Sequence, residues 1–67
     1  MDEAVKKIEE LREERNINKN VFAKNIGMST MAYSRLSTGK TKLKVDTLIR
    51  VANFFEIEDY NFFLKNN

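Results

Sequence analysis

Apolar residues recur at intervals of three and four along much of the chain, which predicts short amphipathic helices. A first helix is predicted over residues 2–15, and its core-facing positions are Ala4, Val5, Ile8 and Leu11. Its positions expected in solvent are Lys6, Lys7, Glu9, Glu10, Glu13 and Glu14. A fourth helix is predicted over residues 45–55, with core positions Val45, Leu48, Ile49, Ala52 and Phe55. The pattern therefore favours an all-α fold.

Residues 18–39 are predicted to form two short helices joined by a tight turn. Asn18 and Ser29 suit the N-cap position, because their side-chain oxygens can accept hydrogen bonds from the first free backbone N–H groups. Gly27 can adopt the left-handed conformation that ends a helix. The second of these helices is expected to run to about Thr38. The apolar positions of the pair are Phe22, Ala23, Ile26, Tyr33 and Leu36.

The C-terminal segment concentrates aromatic residues. A last short helix is predicted from Asp59 to Lys65, with Asp59 as its cap. So small a core cannot enclose every ring, so an exposed apolar patch is predicted. Its residues are expected to be Phe54, Tyr60, Phe62 and Phe63. A symmetric dimer through residues 54–65 would cover the patch, and the alternative is a monomer with an apolar surface.

Charge is distributed unevenly although the net charge is only +2. No Asp or Glu occurs from Arg15 to Val45, whereas that stretch contains seven Lys and Arg residues. A run of charge is usually a solvated face, but this one coincides with the predicted helix pair. A polyanionic partner explains the coincidence better.

Several classes of function do not fit the composition. The chain has no Cys and no His, which argues against disulfides, the usual zinc sites and the common nucleophile and base pairs. Neither an enzyme nor a cofactor is expected. The first residues are charged, and no long apolar run occurs, so neither a signal peptide nor a membrane span is expected. A cytoplasmic location is predicted.

The chain resembles the Cro and lambda-repressor-like (Xre) family of helix-turn-helix DNA-binding proteins over about residues 5–64. The residues that carry the resemblance are Ile8, Leu11, Arg12, Asn18, Lys19, Phe22, Ala23, Ile26, Gly27, Met28, Ser29, Tyr33, Arg35, Leu36, Gly39, Lys40, Thr47, Leu48, Ile49, Val51, Ala52 and Ile57. It implies one domain over residues 1–67, a compact bundle of about five short helices around the helix-turn-helix. It also implies double-stranded DNA as the partner.

The candidate base-reading positions point away from Tyr33 and Leu36 on the second helix of the pair, and the family reads bases at most of them. They are Thr30, Met31, Ser34 and Arg35. Arg35 can donate two hydrogen bonds to guanine, while Thr30 and Met31 can contact a thymine methyl group or an adenine edge. Met31 could instead fill a gap in the core.

Phosphate contacts are expected from helix starts and from the loop after Gly39. The residues are Asn18, Lys19, Ser29, Lys40, Thr41, Lys42 and Lys44. Lys19 lies at the positive end of a helix dipole, which indicates an anion site, although a merely suboptimal first turn is the alternative. The three loop lysines alternate, so they are expected on one side of the loop, with Thr41 and Leu43 facing elsewhere.

Five positions depart from the family pattern, among them Leu43, where many members have Pro, and Lys44, where many have a capping Ser; the other three, Ser37, Tyr33 and Glu56, bear on packing. Arg12 lacks the Glu that the family commonly has at the position of Ser37. Its guanidinium is expected to reach the Tyr33 hydroxyl or a backbone carbonyl, and the alternative is a DNA phosphate. Tyr33 replaces a branched aliphatic residue, so its hydroxyl needs a partner. Glu56 replaces a glycine, which would cost about 1 kcal/mol if its backbone is left-handed.

The function expected from these features is a small transcriptional repressor that binds a palindromic operator as a homodimer. The alternative keeps the fold but makes another protein the main partner, as in an antitoxin or a viral inhibitor. Phe62 and Phe63 would then contact that protein target, and DNA binding would serve autoregulation.

Overall fold

The computed structural model describes residues 2–64, in which it shows four α-helices, one 3-10 turn and no strand. The α-helices are α1 (Glu3–Glu14), α2 (Lys19–Asn25), α3 (Thr30–Ser37) and α4 (Val45–Phe54), and the 3-10 turn is Tyr60–Phe63. The expected count of five helices is therefore slightly too high, because the last element is a single tighter turn. Lys65, the predicted end of that element, lies outside the described residues.

Side-chain caps begin most of these elements. Asn18 accepts a hydrogen bond from the backbone N–H of Val21 at 2.8 Å. Ser29 accepts one from Ala32 at 3.1 Å, and the Asp59 carboxylate caps the 3-10 turn. These three predicted caps are confirmed. Helix α4 has no side-chain cap, because the residue before it is Lys44.

All four α-helices end in a Schellman motif, in which two successive N–H groups return to carbonyls of the last turn. After α2, Gly27 donates to Lys24 at 3.2 Å and Met28 donates to Ala23 at 2.8 Å. Equivalent bonds follow the other three helices. The left-handed residues are Asn16, Gly27, Gly39 and Glu56, with φ of 56°, 74°, 83° and 59°. The left-handed backbone considered for Glu56 is thus present.

The core is organised around the ring of Phe22, which is fully buried. Its centroid lies 5.1 Å from that of Tyr33, 5.2 Å from that of Phe54 and 5.5 Å from that of Phe55. Tilted and edge-to-face ring pairs of this kind add to the free energy gained by burial. Because Phe22 lies in α2 and Tyr33 in α3, the aromatic cluster joins the helix pair to α4.

Two predicted core residues of α4 are exposed instead. The exposed fractions are 62% for Val45 and 43% for Ile49. The buried stripe of α4 consists of Leu48, Val51 and Ala52, and it continues to Phe55, the residue that caps the C-terminus of the helix. Ile49 is rotated about 100° from Leu48 and falls beyond the edge of that stripe, while Val45 lies at the exposed first turn.

The aromatic patch predicted at the C-terminus is only partly correct. Phe63 is fully buried, because the 3-10 turn folds back against α1 and α4. Phe54 is half-buried in the aromatic cluster around Phe22. Of the four rings expected in the patch, Tyr60 and Phe62 are exposed, at 37% and 48%. None of the helices in residues 2–64 has the length and apolar composition needed to cross a membrane.

Candidate nucleic-acid interface

The two helices of the pair, α2 and α3, are connected by a turn that the sequence specifies closely. Ile26 ends α2, Gly27 reverses the chain in the left-handed conformation, and Ser29 caps α3. Ile26 is buried beneath the turn. The first turns of α2 and α3 contact each other, because the Thr30 hydroxyl donates to Oδ1 of Asn20, so the starts of both helices contribute to one surface.

That surface carries no carboxylate at either helix start. Neither α2 nor α3 has an acidic residue in its first turn. Each cap satisfies one N–H group, and the remaining free N–H groups favour an anion at the helix N-terminus. Lys19 is half-buried, and its positive charge contributes to lowering the pKa of Glu9 on α1. Lys19 therefore interacts with α1 as well as lying at the start of α2.

Helix α3 presents most of the predicted base-reading side chains to solvent. Thr30 and Arg35 are exposed, and Met31 is 65% exposed. The alternative that Met31 fills a gap in the core is therefore wrong. Ser34 is half-buried, so it is the least accessible of the four.

Two side-chain contacts preorganise this exposed face. The Thr30 hydroxyl donates to Oδ1 of Asn20 at 2.6 Å, and Nη2 of Arg35 lies 3.5 Å from the sulfur of Met31. Because the Thr30 proton is used, its hydroxyl retains only acceptor capacity toward a base, which suits adenine N6 or cytosine N4. Sequence patterns did not single out Asn20, since an exposed Asn in a first helical turn carries no signal of its own.

The loop after α3 brings cations to the exposed face of α3. A cleft of about 280 Å³ is lined by Arg35, Thr41, Lys42 and Lys44, together with Met28, Ala32, Leu36 and Thr47. Thr41 was expected to face away from Lys42, but it lines the same cleft. The reason is that the turn continues past Gly39, with the N–H groups of Lys40 and Thr41 both donating to the Arg35 carbonyl. Lys40 does not line this cleft.

Comparison with protein-family models gives a match to a helix-turn-helix family of the Cro and lambda-repressor type over residues 8–59. That interval contains α2, α3, α4 and the loop over residues 40–44, which we call the lysine loop. The chain belongs to the Xre-like helix-turn-helix family. Searches of curated proteins and of solved structures gave no significant match.

Membership of the Xre-like family identifies the chain as a DNA-binding regulator. The match begins at Ile8 and ends at Asp59, so it leaves out the 3-10 turn Tyr60–Phe63 and the first turn of α1. Lys7, which also precedes the matched interval, contacts Phe62 of the 3-10 turn.

In this Xre-like domain a buried polar network fixes α3 against α1. Arg12 donates from Nε and Nη2 to the carboxylate of Glu9 at 2.9 Å and 3.0 Å, and from Nη1 to the carbonyl of Ile17 at 2.6 Å. The Tyr33 hydroxyl donates to the same Glu9 carboxylate. Because Arg12 is only 8% exposed, its guanidinium belongs to the interior and not to a phosphate contact.

The network alters the ionisation of its members. Burial alone would raise the pKa of Glu9, but hydrogen bonds from Arg12 and Tyr33 outweigh it and hold that pKa below its ordinary value. Burial, and then the hydrogen bond to Glu9, raise the pKa of Tyr33 far above the physiological range. The hydrogen bond to Glu9 likewise raises the pKa of Arg12. The network thus consists of a carboxylate, a guanidinium and a neutral phenol.

This network corrects one sequence-based expectation and confirms another. Glu9 was expected in solvent, whereas its side chain is 19% exposed and faces α3. Arg12 was expected to reach the Tyr33 hydroxyl or a carbonyl, and the carbonyl of Ile17 is confirmed. Glu9 thus supplies Arg12 with the carboxylate that Ser37 cannot provide. The hydrophobic periodicity of α1 did not predict this role, because a charged residue beside an apolar stripe is normally solvated.

Proposed function

We propose that this regulator is a transcriptional repressor that binds a palindromic operator as a homodimer. The observation that carries the proposal is the exposed face of α3, which presents Thr30, Met31 and Arg35 to solvent. Arg35 also lines a cleft together with Lys42 and Lys44. In double-stranded DNA the major groove admits one α-helix and presents base edges to it. A face without carboxylates suits that groove, because phosphates border it on both sides.

The residues divide into two roles in this proposal. Thr30, Met31, Ser34 and Arg35 read base edges, and Asn20 supports Thr30. The positions that hold phosphates are Asn18, Lys19, Ser29, Lys40, Thr41, Lys42 and Lys44. Phosphate contacts provide affinity and its salt dependence, whereas base contacts provide sequence preference.

A second copy of the chain is proposed to bind at the apolar surface beside α4. We call this surface the α4 face, and its residues are Val45, Ile49, Tyr60 and Leu64. Their exposed fractions are 62%, 43%, 37% and 55%. Val45, Tyr60 and Leu64 line one shallow groove of about 120 Å³. Of the interface residues expected from sequence, Tyr60 remains on this face, and Phe62 is exposed in a separate groove beside α1. Phe63 is buried in the monomer core, and Phe54 packs against that core.

Selection of binding sites from random duplexes, at a stated salt concentration, tests the proposal. A two-fold symmetric site with half-sites about 34 Å apart is expected, since each protomer places one α3 in successive major grooves. Transcription from a promoter that contains the selected site should fall when the protein is added. An asymmetric single half-site, or transcription that rises, would contradict the repressor dimer while leaving DNA binding itself intact.

A further inference from the structure

An open groove runs between α1 and the C-terminal segment, on a part of the chain that the proposed DNA contacts do not use. Its volume is about 620 Å³. The residues that line it are Lys7, Glu10, Leu11, Glu14, Ile57, Asp59 and Phe62. The ring of Phe62 is 48% exposed there, and Leu11 and Ile57 are half-buried. The groove therefore has an apolar floor that the monomer leaves partly uncovered.

The rim of the groove is acidic. Glu10, Glu14 and Asp59 bring three carboxylates to it, against the single ammonium group of Lys7. That ammonium group is also engaged locally, because it donates to the Phe62 carbonyl at 3.2 Å and lies 5.7 Å from the centroid of the Phe62 ring. Lys7 thus fixes the C-terminal segment on α1, and the carboxylates determine the sign of the field.

The length of the groove along α1 fits a short helix. The residues of α1 that line it recur at intervals of three, one and three, which makes one stripe two turns long. Two helical turns extend roughly 10 Å. An amphipathic helix of a few turns can place apolar anchors at intervals of three and four along such a floor.

We propose that this groove binds a cationic amphipathic helix of a partner protein, with apolar anchors over Phe62 and Lys or Arg side chains against Glu10, Glu14 and Asp59. Charge complementarity carries the choice of partner, because the rim repels phosphates and would attract a basic helix. A second copy of this chain is a poor occupant. Its helices without acidic residues, α2 and α3, are the ones committed to DNA.

Binding at the groove is compatible with binding to DNA. No lining residue falls within the acid-free stretch from Arg15 to Val45. A ternary complex of DNA, this protein and the basic helix should therefore form. The groove consequently offers a route by which a DNA-bound regulator recruits or is captured by another protein.

The test uses a 14-residue amidated peptide with Leu and Phe along one helical stripe and Lys elsewhere, and a second peptide with Glu in place of every Lys. Amide chemical shifts of the full chain are followed by NMR during titration. The Lys peptide should change the amide chemical shifts of residues around Leu11, Ile57 and Phe62. The Glu peptide should bind at least about tenfold more weakly.

Variants separate the groove from the general charge of the protein. Glu10→Gln combined with Glu14→Gln should weaken binding of the Lys peptide about fivefold, and Phe62→Ala should weaken it about tenfold. Glu3→Gln combined with Glu58→Gln removes the same charge from positions that do not line the groove, so it should have little effect. DNA binding by each variant should equal that of the original chain, which also shows that each variant is folded.

Equal affinity for the two peptides would overturn the proposal, and so would unchanged affinity in the Glu10 and Glu14 double variant. Shifts confined to residues 15–45 would place the peptide on the DNA surface and would also overturn it. Failure of the protein to bind DNA would contradict the proposed function but not this groove, because the peptide titration needs no DNA.

Discussion

At the scale of single residues, the carboxylate of Glu9 has the most consequential position in the domain. It accepts hydrogen bonds from both Arg12 and Tyr33, and through Tyr33 it reaches α3. A buried guanidinium requires a carboxylate or other acceptors nearby, because an unpaired charge in the interior is costly. The network therefore links the stability of α1 to the orientation of the helix that is proposed to read bases.

Substitution of Tyr33 by Phe removes the hydroxyl and preserves the ring contact with Phe22. The free energy of unfolding should fall by about 1–2 kcal/mol, since a hydrogen bond to a charged acceptor is lost. Urea denaturation measures the change. Tyr60→Phe is the matched control at protein concentrations too low for dimerisation, because the Tyr60 ring is exposed in the monomer, and the stability of this variant should not change. Equal stability of the two variants would show that the Tyr33 hydroxyl contributes nothing.

Acid should destabilise the domain partly through Glu9. The pKa of Glu9 is lower in the folded protein than in the unfolded chain, so its contribution is complete above the unfolded pKa and is lost as pH falls through the folded pKa. Unfolding free energies measured from about pH 5 to about pH 3 should therefore decline. Glu9→Gln should make that decline shallower, and an unchanged slope in this variant would contradict the assignment.

At the scale of secondary-structure elements, the ends of the helices were more predictable than their faces. Caps at Asn18, Ser29 and Asp59 follow from side-chain chemistry within a few residues, so sequence reveals them. The buried face of α4 depends on how α4 is rotated against the rest of the bundle. Val45 and Ile49 fit the helical period but lie outside the surface that α4 shares with its neighbours.

Helix α4 ends at a residue whose substitution should stabilise the protein. Glu56 has φ of 59°, and a left-handed backbone costs a residue with a Cβ roughly 1 kcal/mol relative to glycine. Glu56→Gly should therefore raise the free energy of unfolding by about 0.5–1 kcal/mol. Asn16→Gly at the end of α1 is the matched control and should gain less, since Asn tolerates this conformation. Chemical denaturation of both variants measures the two changes in the free energy of unfolding. A loss of stability in Glu56→Gly would contradict the expectation.

At the scale of the whole molecule, positive and negative charge are separated. The acid-free stretch forms the α2 and α3 surface with its loop, whereas carboxylates gather around the groove beside α1. The first part of this division was predictable, because it follows one continuous stretch of sequence. The groove was not, since it requires the 3-10 turn to pack against α1, which places Phe63 inside and leaves Phe62 exposed.

The central claim is that α3 reads bases while the lysine loop holds phosphates. The most direct measurement compares Arg35→Ala with Lys42→Ala, by equilibrium binding to a selected site and to random duplexes over a range of salt. Arg35→Ala should lose about 1–3 kcal/mol of binding free energy on the selected site, with no comparable loss on random duplexes. Lys42→Ala should weaken binding to both duplexes by the same factor. It should also reduce the slope of log affinity against log salt concentration by about 1. Equal losses on both duplexes for Arg35→Ala, or no binding of the unmodified chain to any duplex at low salt, would contradict the claim.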